Sequence, residues 1–422
     1  MNNSAQEIDV NSPQQSPPVA IGAIPRISIQ AFCVTPEMCD ATQRAANDRR
    51  LYKAHVNVQM GGIEKAVEVY KSTPTPNLLI VETNAPRDFV LAELNNLAQV
   101  CDAGTKVMVV GHINDVILYR ELMNQGVSEY AVAPVGEVQL IEYIANLYGD
   151  PENSPVGRTY AFVGAKGGVG SSTISHNVGW AIAETFQEGV VVADFDVPFG
   201  TAGLNFNQDP PQGIAEALGA PDRLDAVMLD RLLTKCSEHL SLFASAGSLE
   251  RQIEVEQNSV EKVIDTLKQS TPSVIIDLPH LWSPWVKHTL VTADEIIITV
   301  MPDLANLRNA KSIIDLLRSS RRNDVQPRLI INQVGTPKRP EISPDDFAKS
   351  LDLTPTLILP FEPQIFGQAA NNGQMINELR SNTKIAEGFQ HLAQVVTNRT
   401  SIEEVKSSLL GPLLKKLRIN KE

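Results

Sequence analysis

Gly164-Ala165-Lys166-Gly167-Gly168-Val169-Gly170-Ser171-Ser172-Thr173 is the stretch that decides the fold. The apolar run from Thr159 to Val163 precedes it, as suits a buried strand. Gly167, Gly168 and Gly170 let the backbone turn tightly and present N–H groups to anionic oxygens. Ile174, Val178, Ala181 and Ile182 then recur at helical spacing, so a helix opens near Ser171. Its N-terminus adds donors and a positive partial charge at the same place. Strand, glycine-rich turn and helix, in that order, form the context of a phosphate-binding loop. The standard pattern G-x-x-x-x-G-K-S/T has lysine after its last glycine, but Ser171 follows Gly170 here, and the lysine present is Lys166. A charge-assisted contact contributes about 1.5–3 kcal/mol, so its loss at Ser171 predicts weaker nucleotide binding and slow hydrolysis.

Two further strands end in acids. Val190-Val191-Val192-Ala193-Asp194-Phe195-Asp196 carries Asp194 and Asp196, and Ser273-Val274-Ile275-Ile276-Asp277 ends in Asp277. Acids at the carboxyl ends of strands face the ligand crevice of an open α/β sheet. Leu329-Ile330-Ile331-Asn332 is read as a strand ending in Asn332, and Leu359-Pro360-Phe361-Glu362-Pro363 precedes Ala369-Ala370-Asn371-Asn372-Gly373. His176, His280 and His288 stand at no recognisable metal-ligand spacing. With Trp282 and Trp285, which flank an expected loop after Asp277, they read as core packing or satisfied polar contacts; an interface aromatic is the alternative.

The early lysine and the three segments in this order resemble the ParA/MinD family of deviant P-loop ATPases. The resemblance implies ATP and Mg²⁺ as ligands and a homodimer closed over a nucleotide sandwich. It implies that Lys166 reaches the partner's nucleotide and that Asp196 positions the attacking water. Gly167, Gly168, Val169, Gly170, Ser171, Ser172 and Thr173 would cradle the phosphates. Ser172, Asp194 and Asp277 would hold Mg²⁺, partly through water. Asn332 would meet adenine, with Phe361 and Glu362 in the nucleobase loop.

The chain has 422 residues, enough for two domains. A 43% hydrophobic content permits sizeable cores. The net charge of −13 argues against broad DNA binding, and no sequence-specific nucleic-acid partner is expected. Cys33, Cys39, Cys101 and Cys236 show no metal or disulfide spacing and suit a reducing cytoplasm. No signal peptide or membrane-spanning run is read in the sequence.

The fold class expected is α/β, with two doubly wound domains. Residues 1–25, rich in Asn, Gln, Ser and Pro, read as a disordered leader. Residues 26–148 alternate strands (27–34, 54–59, 77–82, 106–111, 128–132) with helices, the last at 136–148, as in a flavodoxin-like domain. Residues 149–157 read as a linker by their Gly and Pro. Residues 158–400 form the P-loop domain with a mostly parallel sheet, including a helix at 305–320. The first domain resembles a response-regulator receiver, on Pro76 to Glu82 and Gly126 to Val135. Its chemistry is missing: Glu82 stands at the phosphoacceptor position, Gly111 replaces the hydroxyl residue and Ala133 the lysine. The domain therefore reads as a pseudo-receiver for docking or dimerisation. Glu82 is either a plain structural carboxylate or a mimic of the phosphorylated state.

Residues 401–422 form an amphipathic tail. Val405, Leu409, Leu410, Leu413, Leu414 and Leu417 are set among Lys406, Lys415, Lys416, Arg418 and Lys421, with a break at Gly411-Pro412. Two readings stay open: a peripheral membrane anchor, and a terminal helix docking on its own domain or a partner.

A divergent receiver joined to a ParA/MinD-type domain resembles the CpaE/TadZ family of Flp/Tad pilus systems. The loop at 162–173 and Phe366 to Met375 carry the resemblance. It implies a cytoplasmic factor, peripheral at the inner membrane or cell pole, whose partners are pilus and secretion assembly proteins. Three functions follow as expectations. The first is an ATP-dependent dimerisation switch with weak hydrolysis. The others are a non-hydrolysing scaffold of the same machine and a MinD-like membrane-cycling regulator.

Overall fold

The computed structural model describes residues 24–148, 157–210, 212–244 and 254–399. The tail at 401–422, most of the linker at 149–157 and most of the leader at 1–25 therefore lie outside the described residues. Two boundaries shift. Ile24, assigned to the leader, is 3% exposed and joins Ile27 and Ile29 in the core of the first sheet. Pro25 interrupts the apolar pattern there and hides it. Gly157, assigned to the linker, donates its N–H to Lys268 at 2.8 Å and leads directly into the second sheet.

Five parallel strands make the first sheet: β1 (Ser28–Cys33), β2 (His55–Met60), β3 (Leu78–Thr83), β4 (Lys106–Gly111) and β5 (Glu129–Val132). Their order, β2-β1-β3-β4-β5, is the flavodoxin-like one. The central strand β3 is buried at every position, as parallel strands with helices on both faces require.

The second sheet has eight strands: β6 (Arg158–Gly164), β7 (Val190–Asp194), β8 (Thr234–Lys235), β9 (Leu240–Phe243), β10 (Ser273–Asp277), β11 (Glu295–Val300), β12 (Arg328–Val334) and β13 (Pro355–Pro360). The order is β13-β12-β11-β6-β10-β7-β9-β8, parallel except for β8 against β9. Along β6, Ala161 and Val163 enter one core layer and Tyr160 and Phe162 the other, so both faces are covered. The helix after the loop, Ser171–Phe186, lies close on the sheet because Gly179 has no side chain. A Cβ there would fall 2.7 Å from a Val192 methyl. The helix expected at 305–320 runs Leu304–Ser320; it buries Ala310, Ile314 and Leu317, with Leu307, Ile313 and Leu316 partly covered.

β12 departs from expectation. It does not stop at Asn332 but continues to Val334 through a register shift against β13 between Ile331 and Val334. Gln333 takes φ 56°, so the extra residue is accommodated as a bulge.

The two sheets meet through charge. The turn Arg49–Leu51 of the first reaches Asp324 of the second. Arg49 and Arg50 both pair with Asp324, which also takes Arg321 at 2.8 Å. Lys53 pairs with Asp265, and Tyr52 stacks edge-on against His288 at 5.3 Å. Burial alone would raise the Asp324 carboxyl, but the charges of Arg49 and Arg321 outweigh it and hold it below its ordinary value. Burial first, then the neighbouring Arg49, pulls Arg321 down to about 10.

Glu82 is 1% exposed at the end of β3. It accepts from the Val34 and Thr35 N–H groups at 2.6 and 2.8 Å, from the Thr35 hydroxyl at 2.7 Å, and lies 3.0 Å from His112 Nε2. It thus ties the loop after β1, as a structural carboxylate does. Burial pushes its carboxyl up, and the Thr35, Val34 and His112 bonds more than reverse this.

Asp324→Asn should cost about 3 kcal/mol, because three arginines lose a buried counter-charge. Denaturant unfolding measures the loss, and small-angle scattering should show an expanded chain. In the wild type, Asp324's contribution is full above its unfolded value near pH 3.8 and is lost as pH falls through the depressed folded value. Glu82→Ala should cost about 2–3 kcal/mol, since buried donors are left without an acceptor. Equal denaturation midpoints for Glu82→Ala and wild type would contradict the bracing role.

Candidate nucleotide site

The loop between β6 and the helix Ser171–Phe186 has Gly168 at φ 77° and Gly170 at φ 89°, a region that favours glycine. At Gly170 a Cβ would also fall 2.6 Å from Asn332 Nδ2. Side chains from outside the motif tie the loop carbonyls. His280 Nδ1 lies 3.2 Å from the Gly164 carbonyl, and Asn309 donates to Ala165 at 2.9 Å. Gln333 donates to Gly168 at 3.3 Å and Asn332 to Val169 at 2.8 Å. A trans peptide sets its N–H opposite its carbonyl. The N–H groups of Lys166, Val169 and Gly170 therefore point away from these partners, as an anion-binding nest requires. Ser172 and Thr173 follow in the first turn of the helix, whose N-terminus adds its positive end. Lys166 and Gly167 are exposed at the rim.

Parallel pairing puts the two acids side by side. β10 lies between β6 and β7, in a register that matches Asp277 to Asp194 and to Phe162. Both are buried, at 2% and 3% exposure. Asp194 accepts from the N–H groups of Asp196 at 3.0 Å and Ala202 at 3.2 Å. Burial first, then the charge of Asp277, pushes its carboxyl up to about 7. Asp196 lies past the end of β7, half-buried, and accepts from Phe199 N–H at 3.2 Å. Its carboxyl is raised too, by burial and then by Asp277.

His176 lies beside the two expected acids, which its spacing along the chain did not suggest. It is fully buried on the helix Ser171–Phe186, with Nε2 3.3 Å from Asp277 Oδ2. Its ligand atom and those of Asp194 and Asp277 lie within 4.8 Å of one another. Spacing along the chain failed to show this, since three separate elements converge; the usable signal was His176's position on the helix that opens at the loop. His176 Nε2, Asp277 Oδ1 and Ser171 Oγ are buried without hydrogen-bond partners. Orphaned atoms beside a phosphate-type loop are what a cation and an anionic ligand would satisfy, so the residues fit a Mg²⁺–nucleotide pair.

On the other side of the loop, a cavity of about 170 Å³ is lined by Gly170, Thr173, Asn332, Phe361, Glu362 and Phe366, among others. The expected nucleobase residues are therefore brought together. Asn332 differs in detail: its amide already serves Val169 and the Gln333 N–H, so it braces the loop. Phe366 was not foreseen as a lining residue. Trp282 is 53% exposed after Asp277, whereas Trp285 is 6% exposed and packs on Phe195 at 6.0 Å.

A family model described as an AAA domain matches residues 157–331. The septum site-determining protein MinD of Helicobacter pylori is 27% identical over 259 residues, covering 57% of this chain and 89% of that one. The MinD of Pyrococcus horikoshii OT3, solved in complex with Mg-ADP, is 21% identical with a TM-score of 0.50, covering 57% of this chain and 96% of that one; it shows the fold. A crystal structure of the pilus assembly protein CpaE from Caulobacter crescentus CB15 is 50% identical, covering 31% of this chain and 98% of that one. Its TM-score is 0.30, so that likeness rests on identity of sequence. With half of the positions shared over nearly the whole of that structure, and a ParA/MinD-type AAA domain following, the chain belongs to the CpaE family of pilus assembly proteins.

Proposed function

We propose that this protein is a nucleotide-controlled dimerisation switch that localises and organises a Flp/Tad-type pilus secretion machine. The observation that carries the reading is the loop itself, with its carbonyls tied outward and orphaned Ser171, His176 and Asp277 atoms beneath it. ATP would lie with its phosphates on Gly167 to Thr173 and its base toward Phe361 and Glu362. Mg²⁺ would lie by Ser172, Asp194 and Asp277, where it supplies charge neutralisation at the phosphates. Lys166 is exposed at the rim, so it is free to meet a second protomer's nucleotide across a shared interface. Exposed Phe199, Leu281, Trp282 and Leu304 supply apolar surface in the segments that follow Asp196 and Asp277 and at the start of the helix Leu304–Ser320.

The first domain then serves as a pseudo-receiver. Its phosphoacceptor position holds a buried, fully bonded Glu82, so it offers a surface for pilus assembly partners and receives no phosphate. Among the described residues no helix is long and apolar enough to cross a membrane, and the reading places the protein in the cytoplasm, peripheral to the machine it organises.

Lys166→Ala should abolish nucleotide-dependent dimerisation while leaving the monomer folded. Light scattering with an ATP analogue and Mg²⁺ checks this, and equal dimerisation of mutant and wild type would sink the switch.

Ser171, at the position of a lysine, favours a second reading, a scaffold that holds nucleotide without hydrolysing it. Turnover separates the two. Slow phosphate release that falls at least tenfold in Asp196→Ala supports an ATPase cycle; release equal to a no-enzyme control supports the scaffold.

A further inference from the structure

Four strands form the outer edges of the two sheets, and three of them are guarded. An edge strand offers unpaired N–H and C=O groups to any other strand, and proteins blunt it with shortness, charge or proline. β8 has two residues, one of them Lys235. β13 begins at Pro355 and ends at Pro360, and β5 has four residues and begins at Glu129. β2 differs. His55-Val56-Asn57-Val58-Gln59-Met60 is six residues long and holds no proline, Asp, Glu, Lys or Arg. Met60 at its end is 49% exposed.

The register shows which backbone groups of β2 remain free. His55 donates its N–H to Ile27 at 2.8 Å and Gly61 to Cys33 at 2.7 Å, both on the side of β1. Successive residues of a strand aim their backbone groups to opposite sides. His55, Asn57 and Gln59 therefore serve β1, whereas Val56, Val58 and Met60 turn their N–H and C=O groups outward. Among the described residues none of these outward groups has a hydrogen-bond partner.

These three residues are complementary to themselves. A twofold axis through Val58, perpendicular to the sheet, sets Val58 opposite the same residue of a second copy and Val56 opposite Met60. All are hydrogen-bonded pairs of an antiparallel ladder, each exchanging two N–H···O bonds, so every outward group of β2 is satisfied. The same axis keeps the faces together. Val56 and Val58, which pack on the core of the first sheet, meet apolar partners, and exposed Asn57 meets exposed Gln59 on the other face. No like charges are brought together at the axis.

We propose that the open edge of β2 is a self-association surface, at which two copies of this chain join antiparallel into one continuous sheet. Strand addition to an open edge is an established mode of recognition, and the contact is isologous, as closed dimers require. β2 belongs to the first domain and Lys166 to the second, so this association needs no nucleotide. Dimers closed over nucleotide would be linked through β2 into larger assemblies. That consequence rests on the proposed switch; the β2 contact does not.

Analytical ultracentrifugation of the full, nucleotide-free chain tests the contact, together with hydrogen exchange read by mass spectrometry. The mass should rise from one chain toward two across the micromolar range, and exchange across His55–Met60 should slow about tenfold at the high end. Asn57→Lys with Gln59→Lys sets like charges across the axis at two exposed positions and should weaken association about tenfold. Asn57→Lys with Gln59→Glu makes the same pairs complementary and should restore it, which a different register would not do. Lys166→Ala should associate without nucleotide as wild type does, so the two contacts are judged separately. A wild-type chain that stays monomeric overturns the proposal, whether the edge is left bare or is covered by another segment of the same chain. Exchange over His55–Met60 that is independent of concentration, or equal association of the two double variants, would overturn it too. The wild-type readings decide the matter even where a variant does not fold.

Discussion

Two carboxylates side by side in a dry crevice are the constraint around which the second sheet is organised. β7 and β10 are neighbours in parallel register, and each ends in an aspartate. Parallel strands set equivalent ends level, so the acids cannot avoid one another. Neither water nor distance relieves them, because β10 lies mid-sheet and both side chains are buried. Relief comes from backbone N–H groups at Asp194, from His176 beneath, and from the positive end of the helix that begins at Ser171. A bound cation would complete it. The crevice is thus built to need positive charge, and the loop beside it to take a negative ligand. In the proposed reading, nucleotide and metal would answer both requirements together.

The loop depends on residues well outside its own motif. Asn332, 163 positions from Val169 in the chain, holds it from the bulged end of β12. Asn309 reaches it from the helix Leu304–Ser320, and His280 from the segment after β10. Each of these elements thereby gains a mechanical link to the loop. Movement of the segment holding His280 and Trp282 would be felt at the Gly164 carbonyl, which gives an exposed surface a route to the site.

The first domain contributes through two anchors. Glu82 holds the first domain together from within, its buried carboxylate accepting from the backbone of the loop after β1. Asp324 shows how the domain is oriented on its neighbour, three arginines converging on one acid. A buried pair of this kind adds little net stability over an apolar contact, but leaving one partner alone is costly, so the geometry is specific.

Much of this was legible from residue order. Alternating apolar runs and helical spacing place the strands of the first sheet to within one residue at each end, most plainly for β3, whose unbroken apolar run is the signature of a strand buried on both faces. The glycines of the loop and the acids at strand ends are likewise local features, so their meeting at one end of the second sheet was legible from residue order, as was the absence of a lysine at Ser171. The errors fell where local and tertiary signals part. Pro25 masks Ile24, and the bulge at Gln333 carries β12 past Asn332. What the sequence by itself determined is the order of elements and the chemistry at their ends. Only the tertiary structure decided that His176 joins Asp194 and Asp277, that Asn332 braces the loop, and that Asp324 gathers arginines from both domains. The reason is physical: those contacts join segments far apart in the chain, and sheet order with strand register, rather than spacing, sets which side chains meet.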